Sequence, residues 1–167
     1  VEARLSNGIP LVSAQTGTVP IATITVVLPG GNSTDPAGTA GVAALASTIA
    51  DKGTPTRTAT QIAAALESLG AALSANAGAD GSFVSLTAPV ANLAAAGEIL
   101  SDVIRNASYP QDELDRERKR TIDGLQIAMK DPGSVAGMVA DRVFYGDAAY
   151  GGVATVNSLP RITREQL

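Results

Sequence analysis

Residues 38–54 read GTAGVAALASTIADKGT, and this stretch decides how the rest of the chain is interpreted. Three apolar residues recur in it at the spacing of one helix face: Val42, Leu45 and Ile49. Gly53 and Pro55 then end the pattern, because neither residue readily continues a helix. The stretch therefore predicts an amphipathic helix over residues 41–52 whose apolar face packs into a core.

The composition limits the classes of function. The 167 residues are 45% hydrophobic, which is enough for one domain with a sizeable core. Twelve basic residues stand against sixteen acidic ones, and no basic stretch is interleaved with aromatic residues, so the sequence predicts no nucleic-acid partner. No run of about 18 apolar residues occurs, so the sequence predicts no transmembrane helix either.

The chain contains no cysteine and no histidine. Without thiols it forms no disulfide and has no cysteine nucleophile, which is compatible with reducing and oxidising compartments alike. Without imidazoles it has no Ser-His-Asp triad and no histidine general base near neutral pH. An ordinary zinc site built from His or Cys ligands is excluded for the same reason.

Strands are predicted in two places. Runs of Val, Ile and Thr bounded by Gly and Pro predict strands over residues 7–15 and 21–28, joined by the turn TGTVP. Residues 71–90 predict a hairpin around the turn AGADGS, with Val84 and Leu86 alternating in its second strand. Each of these segments pairs locally, so a largely antiparallel sheet is expected.

Helical spacing predicts four helices beyond the first. The second begins at a capping box of Thr58 and Gln61 and ends at Gly70. The third has apolar residues on one face: Leu93, Ala96, Leu100 and Ile104. The fourth runs from Pro110 to about Lys130, and its segment DELDRERKR is typical of a solvated face with ion pairs inside the helix.

The fifth helix is predicted over residues 134–145. Four of its apolar side chains are expected to lie inside the protein: Val135, Met138, Val139 and Val143. The whole order is strand, strand, helix, helix, strand, strand, helix, helix, helix. This order predicts a single α+β domain over residues 1–167, a two-layer sandwich with helices packed on a largely antiparallel sheet.

The chain resembles the N-terminal domain of the pitrilysin/insulinase family of zinc peptidases, which includes the mitochondrial processing peptidase and many bacterial homologues. The resemblance spans essentially the whole chain and lies in the order of its elements and in five segments: LSNGIPLV, GTAGVAALASTIADKGT, IAAALESLGAALSANAGADGSFVSL, LDRERKRTIDGLQIAMKDPGSVA and RVFYGDAAYGG. It implies the metallohydrolase fold shared by LuxS and the mitochondrial processing peptidase. It leaves the compartment open between a bacterial periplasm and the cytoplasm.

The resemblance also shows what this chain lacks. Family members have a helix of the form Gly-x-x-His-x-x-Glu-His-x-x-x-x-Gly-Thr, in which two imidazoles one turn apart hold zinc and the carboxylate activates a metal-bound water. When Gly41 and the closing Gly53 are aligned with that motif, Ala44 and Thr48 stand where the histidines would be. Ser47 stands where the catalytic glutamate would be.

The family's third zinc ligand is a glutamate on a later helix, one heptad after a second glutamate. Here the earlier position is Glu117 and the ligand position is Gly124. The glutamate that supports the ligand is thus retained, whereas the ligand itself is absent. The resemblance implies a degenerate site with no metal ligand and no catalytic base, so the family's cofactor, zinc, is not expected to bind.

The expected function is that of a non-catalytic homologue of a zinc peptidase. Zinc-less members of the family act as structural or assisting subunits of heterodimers, in which the partner bears the zinc site. In bacterial pairs the inactive chain supplies an arginine and a tyrosine from a C-terminal domain. We therefore expect a zinc-bearing family member as partner, and we expect residues 1–167 to be an incomplete N-terminal domain of a longer, two-domain protein.

Two alternatives remain open. The chain is an active peptidase if a displaced metal site forms from carboxylates such as Glu113, Glu117 and Asp123, although such ligands suit Mg²⁺ or Ca²⁺ better than zinc. It is a peptide-binding module if its sheet edge accepts an extended peptide, as the family's corresponding strand does. The matching residues are Leu73, Ser74, Ala75, Asn76 and Ala77. An ordinary or protected hairpin strand would explain the same residues.

Overall fold

The computed structural model describes residues 1–15, 17–146 and 149–167. The strands in these ranges are β1 (Glu2–Arg4), β2 (Pro10–Val12), β3 (Ile21–Pro29), β4 (Ala72–Ala77) and β5 (Gly81–Pro89). The α-helices are α1 (Val42–Ile49), α2 (Ala59–Ser68), α3 (Leu93–Asn106), α4 (Gln111–Ala128) and α5 (Pro132–Tyr145). The α+β prediction is confirmed. Within the described residues, no helix combines the length and the apolar character that a membrane crossing requires.

The main sheet is antiparallel and has three strands in the order β3-β5-β4. The hairpin of β4 and β5 was predicted, and β3 covers the predicted strand 21–28. The predicted strand 7–15 is wrong in extent, because β2 covers only three of those residues and pairs with β1 in a separate ribbon. A tight turn at Asn7 and Gly8 closes that ribbon, and Gly8 donates its N–H to the Leu5 carbonyl. Thr16, in the predicted turn TGTVP, lies outside the described residues.

One face of the sheet packs against α2 and α3. Alternate residues of β5 point to this face and are buried: Val84, Leu86 and Ala88. The capping box at Thr58 and Gln61 forms as predicted, and Gly70 has a φ of 61°, the left-handed conformation that ends α2. The apolar stripe of α3 completes this cluster with Ala96, Ile99, Leu100 and Val103. This face is the first of two hydrophobic cores.

A second core lies between α1, α4 and the C-terminal turns. All three predicted core residues of α1 are buried in it: Val42, Leu45 and Ile49. They pack with Leu114 of α4 and with Leu159 and Ile162. Tyr109, in the connection between α3 and α4, packs against both cores. The helix of the opening stretch is therefore held by tertiary contacts along its whole apolar face.

The interior prediction for α5 is wrong. Val139 and Val143 are 54% and 80% exposed, and Val135 and Met138 are only half-buried. The apolar residues do recur at helical spacing, but the described part of the chain places no sheet or helix over them. Periodicity predicts which side chains share a face, whereas burial of that face depends on a partner element.

Candidate functional site

The first turn of α1 is fixed by a carboxylate from the preceding loop. Asp35 accepts hydrogen bonds from the backbone N–H groups of Gly41, at 2.6 Å, and Ala43, at 2.9 Å. These are donors that a helix N-terminus leaves without partners, and a negative charge also suits the positive end of the helix dipole. Gly41 has a φ of 110°, and an added Cβ would lie 3.0 Å from Leu159. A glycine is therefore required where α1 begins.

The C-terminal end of α1 is tied to α3 by a polar network. Asp102 of α3 accepts hydrogen bonds from Thr54, at 2.9 Å, and Asn106, at 2.8 Å, and pairs with Arg57 at 2.6 Å. These hydrogen bonds, that of Asn106 first, lower the pKa of Asp102 below its ordinary value of 3.8. The Asp102 side chain is only 14% exposed. The Gly-Thr end that closes the opening stretch is thus anchored by a carboxylate that no sequence motif indicated.

The three α1 positions of the family motif carry no metal-binding chemistry. Ala44 is exposed and offers only a methyl group. Thr48 is also exposed, and its hydroxyl donates a hydrogen bond to the Ala44 carbonyl at 2.8 Å, within the same helix turn. Ser47 is half-buried. No nitrogen, sulfur or carboxylate donor faces outward from these positions, so they do not fit a zinc ion.

The two α4 positions, Glu117 and Gly124, lie two turns apart on a helix that packs against α1. Glu117 is half-buried and pairs with Arg120 at 3.5 Å, one turn along the same helix. A Cβ built on Gly124 would have no atom within 4 Å outside its own helix, so the ligand position is open space. A glutamate was therefore not displaced here by crowding. The helices that carry the aligned positions are present, and the residues at those positions offer no histidine, cysteine or carboxylate except Glu117.

The carboxylates proposed for a displaced metal site do not gather. Glu113 pairs with Arg116, and Asp123 pairs with Lys119 at 3.0 Å. With the pair made by Glu117, these are the ion pairs along the helix that the DELDRERKR segment predicted. Among the residues that the structure describes, no three His, Cys, Asp or Glu side chains form a group able to hold a metal ion.

The predicted peptide-binding residues form β4, an edge of the three-stranded sheet. β4 pairs with β5 on one side, and no described strand pairs with its other side. The turn sets which backbone groups are free: Gly78 donates to the Gly81 carbonyl at 2.8 Å, so the hydrogen-bonded pairs alternate from there through Asn76 and Ser74. The backbone N–H and C=O groups of Leu73, Ala75 and Ala77 therefore point to the open edge.

The edge strand β4 lies beside α1, and the turn after it is held by a carboxylate. α1 packs against β4, so Ala44 and Thr48 lie on a neighbouring element. The turn that follows β4 is held by Asp80, whose carboxylate accepts hydrogen bonds from the hydroxyls of Tyr150, at 2.5 Å, and Ser33, at 3.4 Å. The hydrogen bond to Asp80 raises the pKa of Tyr150. The side chains of Ser74 and Asn76 are exposed on the outer face of the sheet.

The two carboxylates that hold the α1 segment in place were not predicted from the sequence. Asp35 lies in a loop rich in Gly, Pro and Asn, where an Asp is ordinary. It acts on an N–H eight residues away, beyond the range of a local cap motif. The only signal for Asp102 was its place beside the buried stripe of α3, where a charged side chain needs a partner.

Comparison with solved structures gives the same fold. An inactive peptidase M16 domain from Pseudomonas fluorescens is 23% identical with a TM-score of 0.89, over 99% of this chain and 41% of that one. A protease from Helicobacter pylori is 19% identical with a TM-score of 0.79, over 99% and 41%. The periplasmic protease PqqL from Escherichia coli is 16% identical with a TM-score of 0.82, over 99% and 18%. This chain thus spans less than half the length of each.

The family is established by sequence. No curated protein matches the chain. The sequence profile of the family described as Insulinase (Peptidase family M16) matches residues 11–146, which include the opening stretch, the edge strand and the charged helix. The chain belongs to the insulinase family of peptidases, M16.

Proposed function

We propose that this chain is a non-catalytic member of the family and acts as a structural or assisting subunit beside a zinc-bearing relative. One observation carries the proposal. The helical frame of the zinc site is kept, with the core face of α1 buried and both its ends anchored, while Ala44, Ser47, Thr48 and Gly124 provide no ligand and no general base. A fold that keeps the helices of the zinc site but lacks its ligands is consistent with a structural role in a complex.

The similarity to the inactive domain from Pseudomonas fluorescens supports this proposal at the level of fold. Zinc chemistry in this family needs two imidazoles, and the chain supplies none. A peptidase activity would therefore have to come from residues outside this chain. The contribution of this chain would be to close the substrate space or to hold the peptide.

The direct test is peptide hydrolysis by a zinc-bearing family member from the same organism, measured with and without the full-length form of this protein. We expect activity with both chains and little with the zinc-bearing chain alone. Co-elution of the two chains in size-exclusion chromatography should accompany the gain. Equal activity of the zinc-bearing chain alone, without binding of this one, would overturn the assisting role.

A second test rebuilds the lost site. Four substitutions introduce the family's ligands and base: Ala44→His, Ser47→Glu, Thr48→His and Gly124→Glu. We expect this variant to bind one zinc ion by isothermal titration calorimetry, because the first and third positions are exposed one turn apart and the last is open space.

The matched control for the rebuilt site shifts the histidines by one residue, as Ala43→His with Ser47→His, and keeps their spacing. We expect this control to bind zinc no better than the wild type, because Ala43 and Ser47 are half-buried whereas Ala44 and Thr48 are exposed. Equal zinc affinity in both variants would contradict the alignment of the motif with α1.

Peptide binding along β4 is a second candidate function. The observation that favours it is the row of outward backbone groups at Leu73, Ala75 and Ala77, to which no described element donates or accepts a hydrogen bond. An extended peptide adds to such an edge through main-chain hydrogen bonds. Small side chains along β4 leave room for it.

A further inference from the structure

Two neighbouring cavities lie beside α5, whose apolar face is only partly covered. The larger has a volume of 510 Å³ and lies between the end of α4, α5 and residues 153–157. Its lining is mainly apolar and includes Leu125, Met129, Val135 and Val139. The apolar side chains of α5 that were predicted to lie in a core line this cavity instead.

The smaller cavity has a volume of 380 Å³ and lies between the loop before α1 and residues 152–161. Arg142 and Arg161 both line it, with the hydroxyl of Ser158. Arg142, Thr155 and Asn157 line both cavities, so the two form one continuous cleft with an apolar end and a basic end. Among the described residues, no Asp or Glu lines either cavity.

Arg161 differs from most of the cations of this chain. The chain is acidic, with a net charge of -4, and most described lysines and arginines have a carboxylate or carbonyl partner, as the ion pairs of α4 illustrate. The guanidinium of Arg161 makes no hydrogen bond or ion pair with any described residue. The side-chain amide of Asn157 makes none either. These groups are available to a ligand.

We propose that this cleft binds the C-terminal residues of a peptide whose last side chains are apolar. The terminal carboxylate lies at Arg161, because a guanidinium fork matches the two oxygens of a carboxylate. The preceding side chains enter the apolar cavity beside Val135 and Val139. Pockets of about 300–1,000 Å³ with an apolar lining and few polar groups are typical of ligand sites.

The junction of the two cavities favours a peptide over a simple fatty acid. Asn157 offers both a donor and an acceptor there, the pattern that a peptide unit complements and a hydrocarbon chain does not. The cleft is separate from the β4 edge and needs no catalytic partner. The two proposals are therefore independent. Loss of peptide binding at the cleft would leave the assisting role intact, and loss of the assisting role would leave peptide binding intact.

The test is fluorescence anisotropy with the full-length form of this protein, without a partner subunit, and a labelled peptide ending in Leu-Val-Leu, compared as the free acid and as the C-terminal amide. We expect the acid to bind about tenfold more tightly, as one charge-assisted contact allows. Arg161→Gln should lower the affinity for the free-acid peptide to the affinity for the amide peptide. Val139→Asp should weaken the binding of both peptides. Val139 is 54% exposed, so this substitution should not prevent folding.

Arg105→Gln is the matched control, since it removes the same charge at an exposed position that lines neither cavity. We expect it to bind like the wild type, and thermal unfolding should confirm that all variants fold. Equal affinity for acid and amide, no effect of Arg161→Gln, or no binding at all would each overturn the proposal. Displacement of the peptide by an equal concentration of decanoate would assign the cleft to a fatty acid instead, and would also overturn it.

Discussion

Asp102 is the residue that joins the end of the α1 segment to the sheet-packed helices. Its carboxylate accepts hydrogen bonds from Thr54, Thr56 and Asn106 and pairs with Arg57. All four partners stabilise the ionised form, whereas its 14% exposure opposes it. The pKa is lowered, so the balance favours the charged state in the folded protein.

Replacing Asp102 by Asn should destabilise the protein at neutral pH and much less in acid. The pKa of Asp102 is lower in the folded than in the unfolded state, so its contribution is present above the unfolded value of 3.8 and is lost as pH falls through the folded value. Urea unfolding of both proteins at about pH 7 and about pH 3 measures this. The difference in unfolding free energy should shrink on acidification.

Asp141→Asn is the control for this prediction. Asp141 is exposed and makes no hydrogen bond or ion pair with a described residue. Its substitution should change the unfolding free energy little at either pH. If Asp102→Asn lowers the unfolding free energy as much in acid as at neutral pH, the stabilisation by Asp102 does not come from its charge, and the prediction is wrong.

Among the elements, β4 is an edge strand, and its two sides differ in hydrogen bonding. The N–H of Ser74 points to β5, whereas that of Ala75 points to the open edge. Proline lacks this N–H, and in sheets it is tolerated on edge strands where the group faces outward. The two adjacent residues therefore separate stability from peptide binding.

Ala75→Pro should keep the wild-type stability and abolish the addition of a peptide to β4. Ser74→Pro should instead lower stability by about 1–3 kcal/mol, because it leaves a β5 carbonyl without its partner. Circular dichroism during unfolding measures stability. Fluorescence anisotropy with a short Val- and Thr-rich peptide measures peptide binding. Unchanged peptide binding by a folded Ala75→Pro variant would rule out β4 as the docking edge.

The whole molecule has two hydrophobic cores that share one side chain. Tyr109 packs against both, and its φ of 46° lies in the left-handed region that a bulky residue adopts only when its surroundings hold it there. Burial also raises the pKa of its phenol. The core under the sheet and the core under α1 are therefore expected to unfold together.

Leu114→Ala should lower the free energy of unfolding by about 2–5 kcal/mol, the cost of emptying a fully buried leucine site. Ile127→Ala on the same helix should change it by less than about 0.5 kcal/mol, because Ile127 is 70% exposed. Urea unfolding followed by circular dichroism compares the two. Separate transitions in the Leu114→Ala variant would contradict the coupling of the cores through Tyr109.

Local patterns predicted most of the elements. The capping box at Thr58, the glycine end of α2 at Gly70, the β4–β5 hairpin and the ion pairs of α4 all depend on residues within a few positions of each other. The strand 7–15 and the interior of α5 were wrong because each required knowledge of a distant partner. A strand pattern does not specify which strand it pairs with, and the apolar face of a helix does not specify which element packs against it.

The amino-acid sequence by itself determined the α+β class, the family frame of residues 38–54 and the lack of histidine and cysteine ligands for zinc, since these follow from local periodicity and from composition. Tertiary structure alone decided the rest. Asp35 bonds the start of α1 and Asp102 bonds the segment after it, β4 is free on one side because β5 is central, and Arg142 and Arg161 line one cavity. Such contacts join residues far apart in the chain, and only the folded chain brings them together.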